Sequence, residues 1–318
     1  MKIVIAIGGN ALLRRGQQPS AENQLANIRR AAMQLARVAA LHDLVLTHGN
    51  GPQVGLLALQ SSAYASVDAS TQPYSLDVLG AQTEGMIGYL LEQELANRLP
   101  DSRTVCTLLT RVEVDPNDPA FKHPTKPIGP VYTATQAQQV STEKSWAMAP
   151  DGTGMRRVVA SPLPLRVLGL APICLLLAHH AVVIAAGGGG IPVARDVGDV
   201  KGLSGVDAVI DKDLCSGLLA RELQVDCLVI ATDVEAVYVD WGQPSQQALG
   251  KVMPQELAKH TFPAGSMGPK VEAACGFVLA TGKRAVIGSL EHIEAMLAGT
   301  AGTQIGINET PTTTESNP

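Results

Sequence analysis

Short apolar runs rich in Val and Ile alternate along this chain with longer stretches whose apolar residues recur at helical spacing. The runs at 2–7 (KIVIAI), 44–47 (LVLT), 104–110, 181–186, 227–232 (CLVIAT) and 285–287 predict strands. Between the first two, Leu25, Ile28, Ala32, Leu35, Ala36 and Ala39 fall on one face of a helix over 21–40. Ser20 stands at its N-cap position. Further helices are predicted after Asn50-Gly51-Pro52, with Pro52 suited to a first turn, and over 76–98, 171–180, 211–224, 269–281 and 293–297. Strand–helix alternation of this kind predicts an α/β fold with a mainly parallel sheet.

Three of the strands run straight into glycine. The first meets Gly8, Gly9 and Asn10, the second His48, Gly49, Asn50 and Gly51, and the fourth Gly187, Gly188, Gly189 and Gly190. Ligands of open α/β sheets sit outside the carboxyl ends of the strands. Glycine there lets the chain turn tightly and present bare N–H groups to an anion. The three turns therefore predict loops converging on one anionic ligand.

The rhythm breaks at 115–130, which holds five prolines and no periodicity, and resumes at 171. Residues 112–164 are expected to form a small protruding lid subdomain inserted in an α/β domain spanning 1–307. The Thr- and Pro-rich tail, 308–318, is expected to be disordered. Gly80, Gly85 and Gly88 in the 76–98 helix leave room for close approach, to a second copy or to the sheet.

Composition narrows the function. The 318 residues are 46% hydrophobic but only 3% aromatic, and the net charge is −5 without a long basic run. Nucleic-acid binding is disfavoured. The five cysteines show no CxxC spacing and read as reduced core residues of a cytoplasmic protein. No apolar run approaches the ~20 residues of a membrane span.

No GxxxxGK[ST] or HExxH is present, and Val54 occupies the third position of a would-be GxGxxG at Gly49. Three lysines stand out instead. Lys126 lies between prolines; Lys212 lies between Asp211 and Asp213 at a helix start; Lys270 follows Gly265-Ser266-Met267-Gly268-Pro269. A cation in a first helical turn is unfavourable unless an anion also binds there. Lysines and glycine loops together suit phosphoryl transfer, where catalysis is mostly positioning and charge stabilisation. Asp207, Asp211 and Asp213 are near enough in sequence to orient lysines or an aquated metal. His48 reads as structural.

Seven segments resemble the carbamate kinases of the amino-acid kinase fold: AIGGNALL at 6–13, THGNGPQVGLL at 47–57, DPAFKHPTKPIGP at 118–130, RRVVASP at 156–162, GGGGIPV at 187–193, AVIDKDL at 208–214 and GSMGPKVEAA at 265–274. The resemblance implies a three-layer αβα sandwich around a mainly parallel sheet of about eight strands, with the lid carrying PTKPIGP. It implies reversible transfer of a phosphoryl group from carbamoyl phosphate to ADP, giving ATP and carbamate, with Mg2+ bound alongside the nucleotide and no protein-held metal. It further implies a homodimer serving arginine, agmatine or ureide breakdown. Gly8, Gly9, Asn10, Gly49, Asn50 and Gly51 would cradle the transferred group, and Gly187, Gly188, Gly189 and Gly190 the small substrate. Lys126 and Lys212 would stabilise the transferred phosphoryl, Asp213 would fix Lys212, and Lys270 would meet the nucleotide β-phosphate. Asp211, Thr232, Asp233, Tyr238, Met267 and Gly268 would complete the nucleotide side. The 194–205 loop and the tail depart from the family pattern. A catalytically silent paralogue that binds nucleotide or carbamoyl phosphate is the alternative; the three intact lysines speak against it.

Overall fold

The computed structural model describes residues 1–318 except 14–15, 19, 69, 196–201, 264 and 308–318, with Asn10 and Ala11 described by backbone alone. The expected disorder of 308–318 and the centre of the 194–205 loop thus lie outside the described residues. Eight strands form the central sheet: β1 (Lys2–Ile7), β2 (Asp43–His48), β3 (Val105–Thr107), β4 (Val182–Ile184), β5 (Cys227–Thr232), β6 (Lys251–Val252), β7 (Arg284–Ser289) and β8 (Thr303–Ile305). Their order is β6-β8-β7-β5-β1-β2-β4-β3. Every neighbouring pair is parallel except β7–β8.

Alternation along β1 builds both faces. Ile3, Ile5 and Ile7 join Ile28 and Leu35 of helix α1 (Ala21–Leu41) and Ile87 and Leu91 of a helix over Leu76–Ala96. Val4 and Ala6 face the other way, into a cluster with Leu219 and Phe277 of the helices Lys212–Glu222 and Met267–Thr281. The result is the α/β fold expected from the alternation, in the three-layer αβα form that the resemblance implies. Each fully buried Ile or Val is worth about 1.5–3 kcal/mol of transfer free energy. A one-residue slip of β1 would exchange its two faces.

Helix α2 (Gly51–Val67) and helix α3 (Leu76–Ala96) follow the second glycine turn; α4 (Leu170–Ala178), α5 (Lys212–Glu222) and α6 (Met267–Thr281) complete the main layers. Within α3, an added Cβ at Gly88 would lie 2.3 Å from the Thr107 side chain, so this glycine lets the helix close on β3. Gly80 and Gly85 meet no atom within 4 Å.

The excursion is more ordered than its prolines suggest. Its ends, Arg111–Val114 and Pro164–Val167, pair antiparallel, and the first also pairs with Ile191–Arg195 in a second sheet of four strands. Val112, Val114 and Val167 are buried in the main core. What protrudes is a three-stranded antiparallel sheet, Lys126–Tyr132, Met148–Asp151 and Gly154–Val159, with a helix over Ala134–Lys144. Thr133 and Gln136 close a capping box at the start of that helix. Ile128 and Val159 pack with Val54, Ala58, Leu76, Leu79 and Val209, which seats this body over α2 and α3. At its base an added Cβ on Gly55 would lie 2.0 Å from the Gly129 Cα, and Gly129 itself has φ +73°. Two backbones touch there, so neither position tolerates a side chain.

Candidate active site

β5, β1, β2 and β4 are neighbours, so their carboxyl-terminal turns open on one edge of the sheet. That edge carries Gly8-Gly9 after β1, Gly49-Asn50 after β2, the tetraglycine turn after β4, and Thr232-Asp233 at the end of β5. The convergence expected from the sequence is present, but several of the amides are not bare. Gly8 N donates to Ala231 O at 3.0 Å, and Gly49 N to Ile7 O at 3.0 Å. Gly189 N and Gly190 N donate back into their own turn, to Ala186 O and Gly187 O.

These glycines serve by lacking a side chain. A Cβ on Gly49 would sit 2.7 Å from Gly9 N, one on Gly188 2.1 Å from the Asn50 side chain, and one on Gly189 2.5 Å from Ile210 O. Gly188, Gly189 and Gly190 also have φ of +67°, +97° and +85°, which L side chains rarely adopt. The first turn of α2, a 17-residue helix starting at Gly51 with Pro52 in its first turn, adds helix-start N–H groups at the same edge. Asn50 is buried, and its Nδ2 donates to Thr83 Oγ1 at 2.8 Å. Gly9 has room for a side chain, its nearest neighbour being Pro52 at 3.8 Å. The Asn10 side chain lies outside the described residues.

The three lysines come together from separate elements. Asp211 caps α5, accepting from the Asp213 and Leu214 N–H groups, and its Oδ2 accepts from Lys126 of the protruding sheet. Lys212 Nζ donates to Asp213 Oδ1 at 2.5 Å, while Lys270 Nζ donates to Asp213 Oδ2 at 2.8 Å. One buried carboxylate is therefore shared by two ammonium groups. Burial alone would raise the Asp213 carboxyl, but the two lysines hold it far below the usual carboxylate range. Burial lowers Lys212 despite Asp213. For Lys270 burial is outweighed by Asp213, with Asp211 and Asp233 adding, and the net shift is upward. Lys212 and Lys270 thus meet Asp213 with little solvent to screen the pairing.

Of the residues that the resemblance assigns to the nucleotide, Thr232 donates from Oγ1 to Asp233 Oδ1 at 3.1 Å. Met267 and Gly268 open α6, and Gly268 N donates to Pro263 O at 2.9 Å. Tyr238 lies on a hairpin strand, Val237–Val239, with its ring edge-on to Trp241 at 5.1 Å.

Several polar groups here escaped the sequence reading. Glu84 and Thr83 of α3 are buried, as are Gln53 of α2 and Thr110. Thr110 N donates to Glu84 Oε2 at 3.0 Å, and Ala186 N donates to Thr110 Oγ1 at 2.9 Å. Neither amide atom of Gln53 has a protein partner. Burial pushes the His48 imidazole down to about 4, and the neutral ring lies under Gly187.

Among the described residues no group of three or more His, Cys, Asp or Glu side chains could hold a metal ion. Asp211 and Asp213 are already engaged by lysines.

The sequence profile of the amino acid kinase family matches residues 1–289. Among curated proteins, a carbamate kinase of Rhizobium meliloti (strain 1021) is 57% identical over 305 residues, 96% of this chain and 93% of that protein. One of Haemophilus influenzae is 55% identical, covering 96% of each. Among solved structures, a Giardia lamblia carbamate kinase bound to AMP-PNP superposes with a TM-score of 0.84 at 39% identity, over 96% of this chain and 98% of that one. An isopentenyl phosphate kinase from T. acidophilum, at 14% identity and a TM-score of 0.54, shares the fold alone.

Proposed function

The chain belongs to the amino acid kinase family and, within it, to the carbamate kinases, and from that premise we propose how its site transfers a phosphoryl group between carbamoyl phosphate and ADP. The observation that carries the proposal is the meeting of Lys126, Lys212 and Lys270 around Asp211 and Asp213 at the strand ends. A terminal oxygen of the ADP β-phosphate attacks the phosphorus of carbamoyl phosphate. The bond from phosphorus to the carbamate oxygen breaks, and the electron pair leaves on carbamate. Carbamate is a stable anion and the attacking oxygen carries no proton, so no general base is needed. This suits a site whose histidine is buried and neutral.

Lys212, fixed by Asp213, and Lys126, reaching in from the protruding sheet, meet the negative charge on the transferring oxygens. Lys270 faces the β-phosphate of the nucleotide. The tetraglycine turn takes the carbamoyl end, where the lack of side chains admits a small planar group. Asp233 and Thr232, with Met267 and Gly268, line the nucleotide side. Magnesium, carried in by the nucleotide, would supply further charge neutralisation.

The protruding sheet acts as a lid. Its Lys126 ammonium is part-exposed and reaches across to the buried Asp211 carboxylate. A homodimer follows from the family resemblance, and α2 and α3 offer exposed Leu56, Tyr64, Val78, Met86 and Tyr89 for it. A cytoplasmic site and a role in arginine, agmatine or ureide breakdown rest on the same resemblance; no helix among the described residues is long and apolar enough to cross a membrane. Incubation with ADP, magnesium and carbamoyl phosphate is expected to yield ATP, and acetyl phosphate to serve poorly. A folded protein that makes no ATP from carbamoyl phosphate overturns the reading. Light scattering at assay concentration tests the dimer, and a monomer there removes it.

A further inference from the structure

Glu84 has no part in the transfer just described, yet it is built into the wall of the small-substrate turn. It sits in the middle of α3 at 2% exposure. Its Oε2 accepts from Thr110 N at 3.0 Å, and the Gly187 N–H also acts on the carboxyl. Its Oε1 is buried with no partner. An added Cβ on Gly187 would lie 3.0 Å from Glu84 Cγ and 2.3 Å from His48 Nε2, so carboxyl and imidazole pack directly on this glycine. Thr110 continues the connection: its Oγ1 accepts from Ala186 N, and its carbonyl accepts from Ile191 N at 2.8 Å. Glu84 and Thr110 therefore hold the tetraglycine turn at both ends, Ala186-Gly187 and Ile191.

The charges around Glu84 do not offset a carboxylate. His48, from the end of β2, is neutral. Cys215 of α5 is a thiol that burial and Glu84 push upward. From β3, the Cys106 thiol responds to Glu92 rather than to Glu84. From α1, Arg29 is paired with Glu94, farther along α3. Lys212, which acts on His48, is matched by Asp213. A buried carboxylate without a cation is costly, and here it would also face a turn that must accept an anion.

We propose that Glu84 is a positioning residue for the small substrate, holding the tetraglycine turn open to carbamoyl phosphate only while it is an uncharged carboxylic acid. As the acid it accepts both N–H groups and keeps its proton on the oxygen turned from Thr110. Loss of that proton to solvent places a negative charge against Gly187 and repels the substrate. Burial pushes the Glu84 carboxyl up to about 8, which puts this loss in the mildly alkaline range. The inference rests on the tetraglycine turn being the small-substrate site.

The test measures kcat and KM for carbamoyl phosphate from about pH 6.5 to about pH 9.5 in the native protein and in Glu84→Gln. Gln keeps an oxygen for the Thr110 N–H but cannot ionise. The native KM is expected to climb by up to about tenfold per pH unit above the midpoint, with kcat moving less. Glu84→Gln is expected to lose that climb. A climb that persists unchanged in the variant overturns the proposal. Should the variant fail to fold, infrared spectra of the native protein decide. A protonated-carboxyl band at neutral pH that titrates near pH 8, with a midpoint raised by carbamoyl phosphate, supports the proposal through linkage. Absence of that band, or a midpoint that ignores the ligand, overturns it. ATP formation at neutral pH tests the kinase reading separately, so the two can fail independently.

Discussion

The floor of the site and the sheet above it hold their lysines in opposite ways. In the floor, Lys212 and Asp213 are buried, the strands beneath them are fully buried, and one carboxylate binds two ammoniums. In the protruding sheet, Lys126 is tied by one part-exposed ion pair, and the body carrying it touches the sandwich through Ile128, Val159, the Gly55–Gly129 contact and a Lys144–Ser62 hydrogen bond. The same side chain thus serves two ends. Burial fixes charge before substrate arrives, which is what transition-state stabilisation needs. The proposed lid would let the other charge arrive and leave with substrate.

The comparison is broken most sharply at Lys212. Lys212→Ala is expected to cut turnover at least ~100-fold and to lower the melting temperature, because Asp213 stays buried with one cation fewer. Circular dichroism should still report a folded protein, and near-native activity would remove Lys212 from the site. Lys126→Ala should lose a similar ~100-fold in turnover with a smaller fall in melting temperature than Lys212→Ala, because the buried Asp211 it leaves still accepts the Asp213 and Leu214 N–H groups. A large loss of stability would mean that the protruding sheet is held by this pair. Gly55→Ala pushes the two backbones apart at the seat of the protruding sheet, and a displacement of that kind costs roughly 10–100-fold in turnover. Unchanged turnover would show that the seat does not position Lys126.

The smallest effect is on stability against pH. His48 has its pKa depressed to about 4, so its contribution is present above its unfolded value and is lost as pH falls toward 4. Glu84 has its pKa raised to about 8, so its contribution is present below its unfolded value and is lost as pH rises toward 8. Across the acid range the two oppose each other. From about pH 6.5 to 8 Glu84 acts alone, removing up to about 1.4 kcal/mol per pH unit. Urea titrations of native protein and Glu84→Gln should diverge in that window, and parallel curves would contradict it.

What could be read from the sequence was whatever lies within one short stretch. The glycine turns, the helix faces and the three lysines are local patterns, and the structure brings Lys126, Lys212 and Lys270 together. The sharing of Asp213 with Lys270 spans 57 residues and leaves no periodic trace. The pairing of Arg111–Val114 with Ile191–Arg195 is equally remote, and β6 is only two residues long. That Gly8 N and Gly49 N are taken up by Ala231 O and Ile7 O cannot be seen in a run of glycine, because it depends on which strands are neighbours. Glu84 did leave a signal. Leu76, Leu79, Gly80, Thr83, Glu84, Ile87, Gly88, Leu91, Glu94 and Leu95 form the buried stripe of α3, so three polar residues stand on its apolar face.

One assay bears on the central claim, that lysines from two bodies act on one phosphoryl group. ATP formation from ADP, magnesium and carbamoyl phosphate would be followed in the native protein, Lys212→Ala and Lys126→Ala under identical conditions. Rapid ATP synthesis in the native protein, with both variants reduced at least ~100-fold, is the predicted result. Native-like synthesis in the two folded variants would contradict the account.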